Sequence, residues 1–484
     1  MQEKSGMSAA AHTAGLASLG VAAAADAIRK GEISSETYAS ALLERARKHS
    51  DLNAFITIDE EAVLEASRSA DKARAKGASA PLLGVPIGIK DSYLTRGLRT
   101  TLGISTLDGF VPEKDADTVA EIKDAGGIVF GKNNLVEMSY GLTGHNSAYG
   151  QVKNPHDRGH VSGGSSSGSA ASVAARLVPA SLGGDTIGSI RVPASFCGVV
   201  GFKPTTGRWP RGGVAPISHT LDTTGVFARS VEDCLLIDHV VTRNATPDVP
   251  GRHGLRGVKL AYAPRQYLEL IAPEVGAHFE DTLRRLRDAG AVIVEIDLGD
   301  DFSSLALSAT WNIFFRETRD AVAGFLHQQN IPVTFEALHA CLKPELKDVW
   351  AQFVVPSGTG FLSAEAYDKV LSVERVEIKR RFKEAFSSSG AEALLFPTTP
   401  CTAPAIEHQA KFLIAGQEVS YVAIAQNTIP TSAAGLPGIS IPIGFTRDNL
   451  PIGLEIDGAH GKDRSLLDLA RRIEAAVGRL SSPV

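Results

Sequence analysis

Two stretches dense in glycine and serine constrain this chain more than anything else in it: Gly163-Gly164-Ser165-Ser166-Ser167-Gly168-Ser169 and Gly183-Gly184-Asp185-Thr186-Ile187-Gly188-Ser189-Ile190-Arg191. A packed core gains little from so many hydroxyls and so little side chain. Backbone that must approach a reacting carbonyl closely needs glycine, and acyl transfer needs a serine. The pair reads as an active site. A third segment, Gly84-Val85-Pro86-Ile87-Gly88-Ile89-Lys90-Asp91, is a short apolar run that ends on a lysine. Lysine at the end of a buried strand loses solvation of its charged form, which lowers its pKa and leaves a neutral amine free to act as general base. A serine nucleophile needs such a base.

The surrounding sequence leaves room for a large core, with 484 residues of which 43% are hydrophobic. A formal net charge of -5, with both signs mixed along the chain, gives no reason to expect a nucleic acid or an anionic membrane as partner. The four cysteines, Cys197, Cys234, Cys341 and Cys401, lie far apart in mostly apolar surroundings and are expected to be reduced and buried. The small apolar segment Ala14 to Ala25 could be taken for a secretory leader. It runs directly into Asp26-Ala27-Ile28-Arg29-Lys30-Gly31, the basic end and glycine stop of an ordinary helix. No apolar run reaches the roughly 20 residues of a membrane span, so the cytoplasm is the expected compartment.

Along the chain, Leu16 to Lys76 predicts two or three amphipathic helices, with Ser34-Ser35-Glu36 offering a cap. From Leu82 to Pro204 short apolar strands alternate with helices, which predicts an α/β sheet. The Ser/Gly stretch passes into Ala170-Ala171-Ser172-Val173-Ala174-Ala175, a helix of small residues that can pack close to a sheet. Strands return at Leu394 to Pro400 and Gly438 to Gly444, and a helix from about Ser465 to Arg479 ends the chain.

Two rival chemistries arise from the same residues. Gly164-Ser165-Ser166-Ser167-Gly168 fits the G-x-S-x-G nucleophile elbow with Ser166 as nucleophile, but that motif needs a strand before it, and Asn154 to His160 is a poor strand. His156 and His160 could be offered as metal ligands, yet no carboxylate or cysteine stands at a suitable spacing.

Taken together, the three segments resemble the amidase signature family of Ser-Ser-Lys hydrolases. Asp115-Ala116-Asp117, the run from Ala125 to Asn133, Thr143-Gly144-His145-Asn146, Asn154-Pro155 and the run from Phe196 to Thr205 support the resemblance. It implies an α/β fold with a central mixed twisted β-sheet covered by helices on both faces. The chain would form a single domain over 1–484, with a helical segment at about 15–76, a catalytic core at about 82–230 and a helical cap at about 301–390 over the mouth of the site.

The resemblance also assigns roles. Ser189 is the implied nucleophile, Ser165 the bridging serine that follows a cis peptide bond, and Lys90 the base. The backbone N–H groups of Thr186, Ile187, Gly188 and Ser189 would form the oxyanion hole, braced by Asp91, Ser166, Asp185 and Arg191. Ile187 stands where many relatives have glycine, Ser167 replaces another common glycine, and Ser92 stands where the family usually has asparagine.

Within the family, Gly207 to Gly225 and Gly453-Leu454-Glu455-Ile456-Asp457-Gly458 are similar to indoleacetamide and mandelamide hydrolases. That likeness implies a primary aryl- or indole-acetamide cleaved to carboxylate and ammonia. Met138, Ser139, Trp311, Phe314 and Phe315 are the expected pocket, with Trp350 and Phe353 as further walls. No metal or organic cofactor is implied, the small-molecule amide is the implied partner, and a homodimer stays open. Two alternatives remain at this point: the amidase component of a glutamine-dependent tRNA amidotransferase, and a catalytically silent scaffold of the same fold.

Overall fold

The computed structural model describes residues 15–243 and 253–479; the start of the Ala14 to Ala25 segment lies outside them. The strands, in chain order, are β1 (Phe55–Thr57), β2 (Pro86–Lys90), β3 (Ile128–Asn133), β4 (Ala180–Asp185), β5 (Val200–Lys203), β6 (Thr223–Ala228), β7 (Lys259–Tyr262), β8 (Val292–Glu295), β9 (Ala393–Pro397), β10 (Lys411–Ile414), β11 (Gln417–Ser420), β12 (Gly438–Phe445) and β13 (Pro451–Asp457). Strands β10 and β11 make a separate hairpin, and the other 11 form one sheet in the order β1-β3-β2-β4-β6-β5-β12-β13-β9-β7-β8. The sheet is mixed: β3, β2 and β4 run parallel, as do β9, β7 and β8, and the strands between them pair antiparallel.

Side chains on successive strand residues point to opposite faces, and the apolar ones divide accordingly. Leu395 of β9 joins a core built with the helices Val21–Lys30, Ser35–Lys48, Val231–Val241, Pro273–Asp288 and Asp463–Val477. Its neighbours Leu394 and Phe396 join a second core, formed with the helices Phe302–Gln328, Phe335–Cys341, Pro344–Phe353 and Arg375–Ser389. Helices therefore cover both faces, as expected.

Local signals act where the sequence puts them. Ser34 caps the helix Ser35–Lys48 by accepting from the Thr37 N–H at 3.0 Å, and Gly31 ends the preceding helix at a φ of 73°. The helix Ser167–Ala174 is buried along its whole length. A Cβ on Gly168 would meet the carbonyl oxygens of Ala54 and Asn134, so only glycine permits this approach. Three cysteines are buried as expected; Cys341, at the C-terminal end of its short helix, is exposed. Among the described residues no helix is long and apolar enough to cross a membrane.

Candidate active site

Strand geometry brings the distant motifs together. Strands β2 and β4 are parallel neighbours, with Ile89 opposite Leu182, so Lys90 at the end of β2 and Asp185 at the end of β4 emerge at the same sheet edge. The chain leaves β4 through Thr186, Ile187, Gly188 and Ser189 and enters the helix Arg191–Cys197. The Gly/Ser loop crosses beneath it: the Ser166 N–H donates to the Ser189 carbonyl at 3.3 Å, and the Gly164–Ser165 peptide bond is cis.

Lys90 is 1% exposed, and its Nζ donates to Ser165 Oγ at 2.8 Å. Burial, only partly offset by Asp185 and Asp222, pushes its pKa down to about 7. The amine is thus far more readily deprotonated than an exposed lysine, and when neutral it can accept a proton from that hydroxyl. Ser189 is buried to 4% exposure and opens onto a cavity.

Asp185 and Arg191 hold the loop at both ends. Arg191 donates through Nε to Asp185 Oδ2 and through Nη2 to Asp185 Oδ1, each at 3.0 Å, and also to Ser432 Oγ at 2.8 Å and Glu455 Oε1 at 3.4 Å. Burial would raise the Asp185 pKa, but the Arg191 guanidinium outweighs it and holds the carboxylate below its ordinary value. The Ile190 N–H also donates to Asp185 Oδ2, at 3.1 Å. The N–H groups of Ile187, Gly188 and Ser189 meet no protein acceptor among the described residues, which leaves them free for an oxyanion.

The other implied supports act at one remove. Ser166 Oγ donates to the Gly184 carbonyl at 3.1 Å and accepts from the Gly184 N–H at 3.2 Å, tying loop to strand. No strand precedes it, so the elbow geometry is missing. Asp91 accepts from the Thr101 N–H at 2.8 Å and faces Lys132 Nζ at 3.2 Å, which fixes the turn after Lys90 without touching the serines. His156 rests on the Cys197 carbonyl at 3.1 Å, and His160 faces Asp157 at 3.0 Å.

Two residues here escaped the sequence reading. Asp222 accepts from Thr186 Oγ1 at 2.7 Å and from the N–H groups of Ile217 and Ser218 at 2.8 and 3.0 Å, which joins the Thr186–Ser189 loop to the loop before β6. Thr428 Oγ1 donates to the Ile187 carbonyl at 2.6 Å and turns that peptide from the other side. Asp222 could have been singled out as the one carboxylate in Ser218-His219-Thr220-Leu221-Asp222; Thr428 carries no local signal.

A cavity of about 610 Å³ is lined by Ser189, Ile187 and Ser139 on one side and by Trp311, Phe314, Phe315 and Phe353 on the other. The rings form a wall: Trp311 stacks on Phe315 at 5.4 Å, Phe315 on Phe353 at 5.0 Å, and Phe314 meets Tyr140 edge-on at 4.8 Å. Of the expected pocket residues, Met138 and Trp350 stand apart from this cavity. Neither lines the cavity: both are packed in the cap-side core, Trp350 between Tyr140 and Phe335. A second cavity, of about 330 Å³, lies on the Lys90 and Ser165 side and shares Ser139 with the first.

The fold and comparison with known proteins together define a hydrolase of the amide-cleaving kind. The amidase family model matches residues 38–467, and the chain belongs to that family. It is 35% identical to mandelamide hydrolase of Pseudomonas putida over 94% of this chain and 91% of that one. It is 32% identical to indoleacetamide hydrolase of Allorhizobium ampelinum, over 93% and 96% of the two chains. One component of the glutamyl-tRNA(Gln) amidotransferase from Chromohalobacter salexigens is 35% identical over 93% and 94%. Among solved structures, the peptide amidase of Stenotrophomonas maltophilia superposes with a TM-score of 0.80 at 26% identity, over 96% of this chain and 98% of that one.

Proposed function

We propose that this protein hydrolyses amides of aromatic acids, such as indoleacetamide or mandelamide, through an acyl-enzyme on Ser189. The observation that carries the reading is the opening of Ser189 onto an aromatic-walled cavity, with Lys90 Nζ bonded to Ser165 Oγ and the next residue, Ser166, bonded through its N–H to the Ser189 carbonyl. Neutral Lys90 takes a proton through Ser165 as Ser189 Oγ attacks the carbonyl carbon. The developing oxyanion receives hydrogen bonds from the backbone N–H groups of the Thr186 to Ser189 loop. Collapse breaks the C–N bond, and the relay returns the proton to nitrogen, which leaves as ammonia. Water enters by the same base and releases the carboxylate.

The aromatic preference rests on the ring wall of Trp311, Phe314, Phe315 and Phe353, and on the likeness to enzymes named for mandelamide and indoleacetamide. One catalytic domain spanning the chain and working in the cytoplasm belongs to the same proposal. The test is kcat/KM for phenylacetamide, mandelamide and indole-3-acetamide against glutamine, asparagine and short aliphatic amides. Equal or better turnover of glutamine overturns the aromatic reading and favours the amidotransferase one, which the 35% identity to that enzyme's component supports.

A further inference from the structure

The stretch Gly453 to Gly458 puts two carboxyl groups beside Arg191. Glu455 and Asp457 stand two apart on β13 and therefore share one face of the sheet, while Leu454 and Ile456 point into the core on the other. Both carboxyls are completely buried. Across β12, Asp457 pairs with Gly438 and Glu455 with Ser440. A Cβ built on Gly438 would lie 2.6 Å from Asp457 Oδ1 and 2.7 Å from Glu455 Oε1, so the two groups converge over that glycine, which leaves them room by having no side chain. They stand within hydrogen-bonding reach of each other. One oxygen of each, Glu455 Oε2 and Asp457 Oδ1, is buried without a donor. Two ionised carboxylates there would be acceptors only, and like charges sharing a dry site cannot both stay ionised.

The neighbours do not supply the missing charge. Arg191 gives its two 3.0 Å bonds to Asp185 and spares Glu455 Oε1 a single long one of 3.4 Å. Asp457 Oδ2 accepts from the neutral Thr431 hydroxyl. Lys203, paired with Gly438 from β5, donates Nζ to the Pro204 carbonyl at 3.0 Å, and burial lowers its pKa to about 8. Asp463 is turned to Thr205 and Arg208, and the Tyr267 hydroxyl, buried near the pair, has no hydrogen-bond partner. Asp185, Glu455 and Asp457 thus face Arg191 and Lys203, three acids against two bases, and one bound proton balances the cluster. Burial accordingly holds both carboxyls above the ordinary carboxylate range, against the pull of Arg191.

We infer that Glu455 and Asp457 hold one proton between them as an O–H···O bridge, and that the bridged pair keeps Arg191 committed to Asp185, which makes both carboxyls positioning residues for the loop that carries Ser189. The kinetic consequence rests on the proposed acyl-enzyme chemistry; the shared proton does not. The proton belongs to the pair rather than to either residue. When it leaves at alkaline pH, a second full negative charge appears beside the guanidinium and competes with Asp185 for it, and the grip on the Thr186–Ser189 loop slackens. Substitution of either acid by its amide puts an N–H where the bridging O–H stood and fixes the engaged state.

Infrared spectroscopy reads the proton directly. At about pH 7.5 the wild type is expected to show the carbonyl stretch of a protonated carboxyl that is missing from both Glu455→Gln and Asp457→Asn, since either variant keeps one acid, which the new amide bridges in its ionised form. Turnover of phenylacetamide reads the positioning. Glu455→Gln should keep kcat within about threefold of the wild type at about pH 7.5, whereas Glu455→Leu, which cannot bridge, should lose about tenfold or more. The ratio of wild-type to Glu455→Gln kcat should then fall about fivefold or more between about pH 7.5 and about pH 10. Should Glu455→Leu fail to fold, that ratio decides. No such band in the wild type, a band that survives in either amide variant, or a ratio flat in pH overturns the inference. A covalent adduct on Ser189 in the same preparation leaves the acyl-enzyme reading standing in that event; a missing adduct with the shared-proton band in place overturns that reading and leaves the proton.

Discussion

Arg191 grips Asp185 with two parallel hydrogen bonds of 3.0 Å, closing the loop that carries Ser189 into a ring of side chain and backbone. Both groups are fully buried, and the same guanidinium reaches Glu455 on β13 and Ser432. Removing one partner of a buried pair leaves an uncompensated charge, which costs roughly 3–5 kcal/mol. Arg191→Ala is therefore expected to lower unfolding stability by about that amount and to abolish turnover. Arg191→Lys keeps the charge but loses the two-pronged grip, and is expected to retain more stability than activity. Denaturant melts alongside kcat/KM check both.

The rate should follow the protonation of Lys90. Its pKa is pushed down to about 7 by burial, and only the neutral amine can accept a proton. Activity is expected to rise with pH through about 7 and to fall about tenfold per unit below it. Lys90→Ala should lose several orders of magnitude in kcat and the rising limb with it. A pH profile of kcat/KM for both forms reads the sign directly; a Lys90→Ala enzyme with near-wild-type turnover would put the base elsewhere.

Gly188 sits at a φ of 143°, and a Cβ there would collide with Thr428 Oγ1. Gly188→Ala must therefore displace the proposed oxyanion loop from the Thr428 hydroxyl that holds the Ile187 carbonyl. The expected loss in kcat is about 10²–10³, the scale of one lost oxyanion donor. Steady-state kinetics compared with thermal melts separates this loss from unfolding.

The aromatic wall should set acyl preference. Phe315 contacts Trp311, Phe314 and Phe353, and it lines the cavity that Ser189 faces. An aromatic contact adds about 0.5–1.5 kcal/mol beyond area burial. Phe315→Ala is expected to reduce the kcat/KM ratio of indole-3-acetamide to butyramide about tenfold, mostly through KM. Competition assays with the two amides give that ratio.

How far the sequence could carry the reading depends on whether the cause was local. Lys90 ends an apolar run, and Ser189 sits among glycines; both signals lie within a few residues, and both residues line cavities at the same sheet edge. Thr428 reaches the Thr186–Ser189 loop from the C-terminal part of the chain, and nothing in its neighbours announces it; Glu455 lies in a stretch singled out by resemblance, but its contact with Arg191 is set by the sheet. Trp350 and Phe353 share one helix three residues apart, yet Trp350 packs in the core while Phe353 lines the cavity. Composition identifies both as apolar; only the packing of that helix against Phe335 and Phe315 decides which one lines the cavity.

Covalent trapping identifies the attacking serine and its dependence on Lys90 in one experiment. The enzyme is treated with an aromatic fluorophosphonate or a slow arylacetyl ester, digested, and mapped by mass spectrometry. A single adduct is expected on Ser189, formed more slowly at pH 5 than at pH 8 and strongly reduced in Lys90→Ala. An adduct on Ser166, or one on Ser189 that forms equally fast without Lys90, would contradict it.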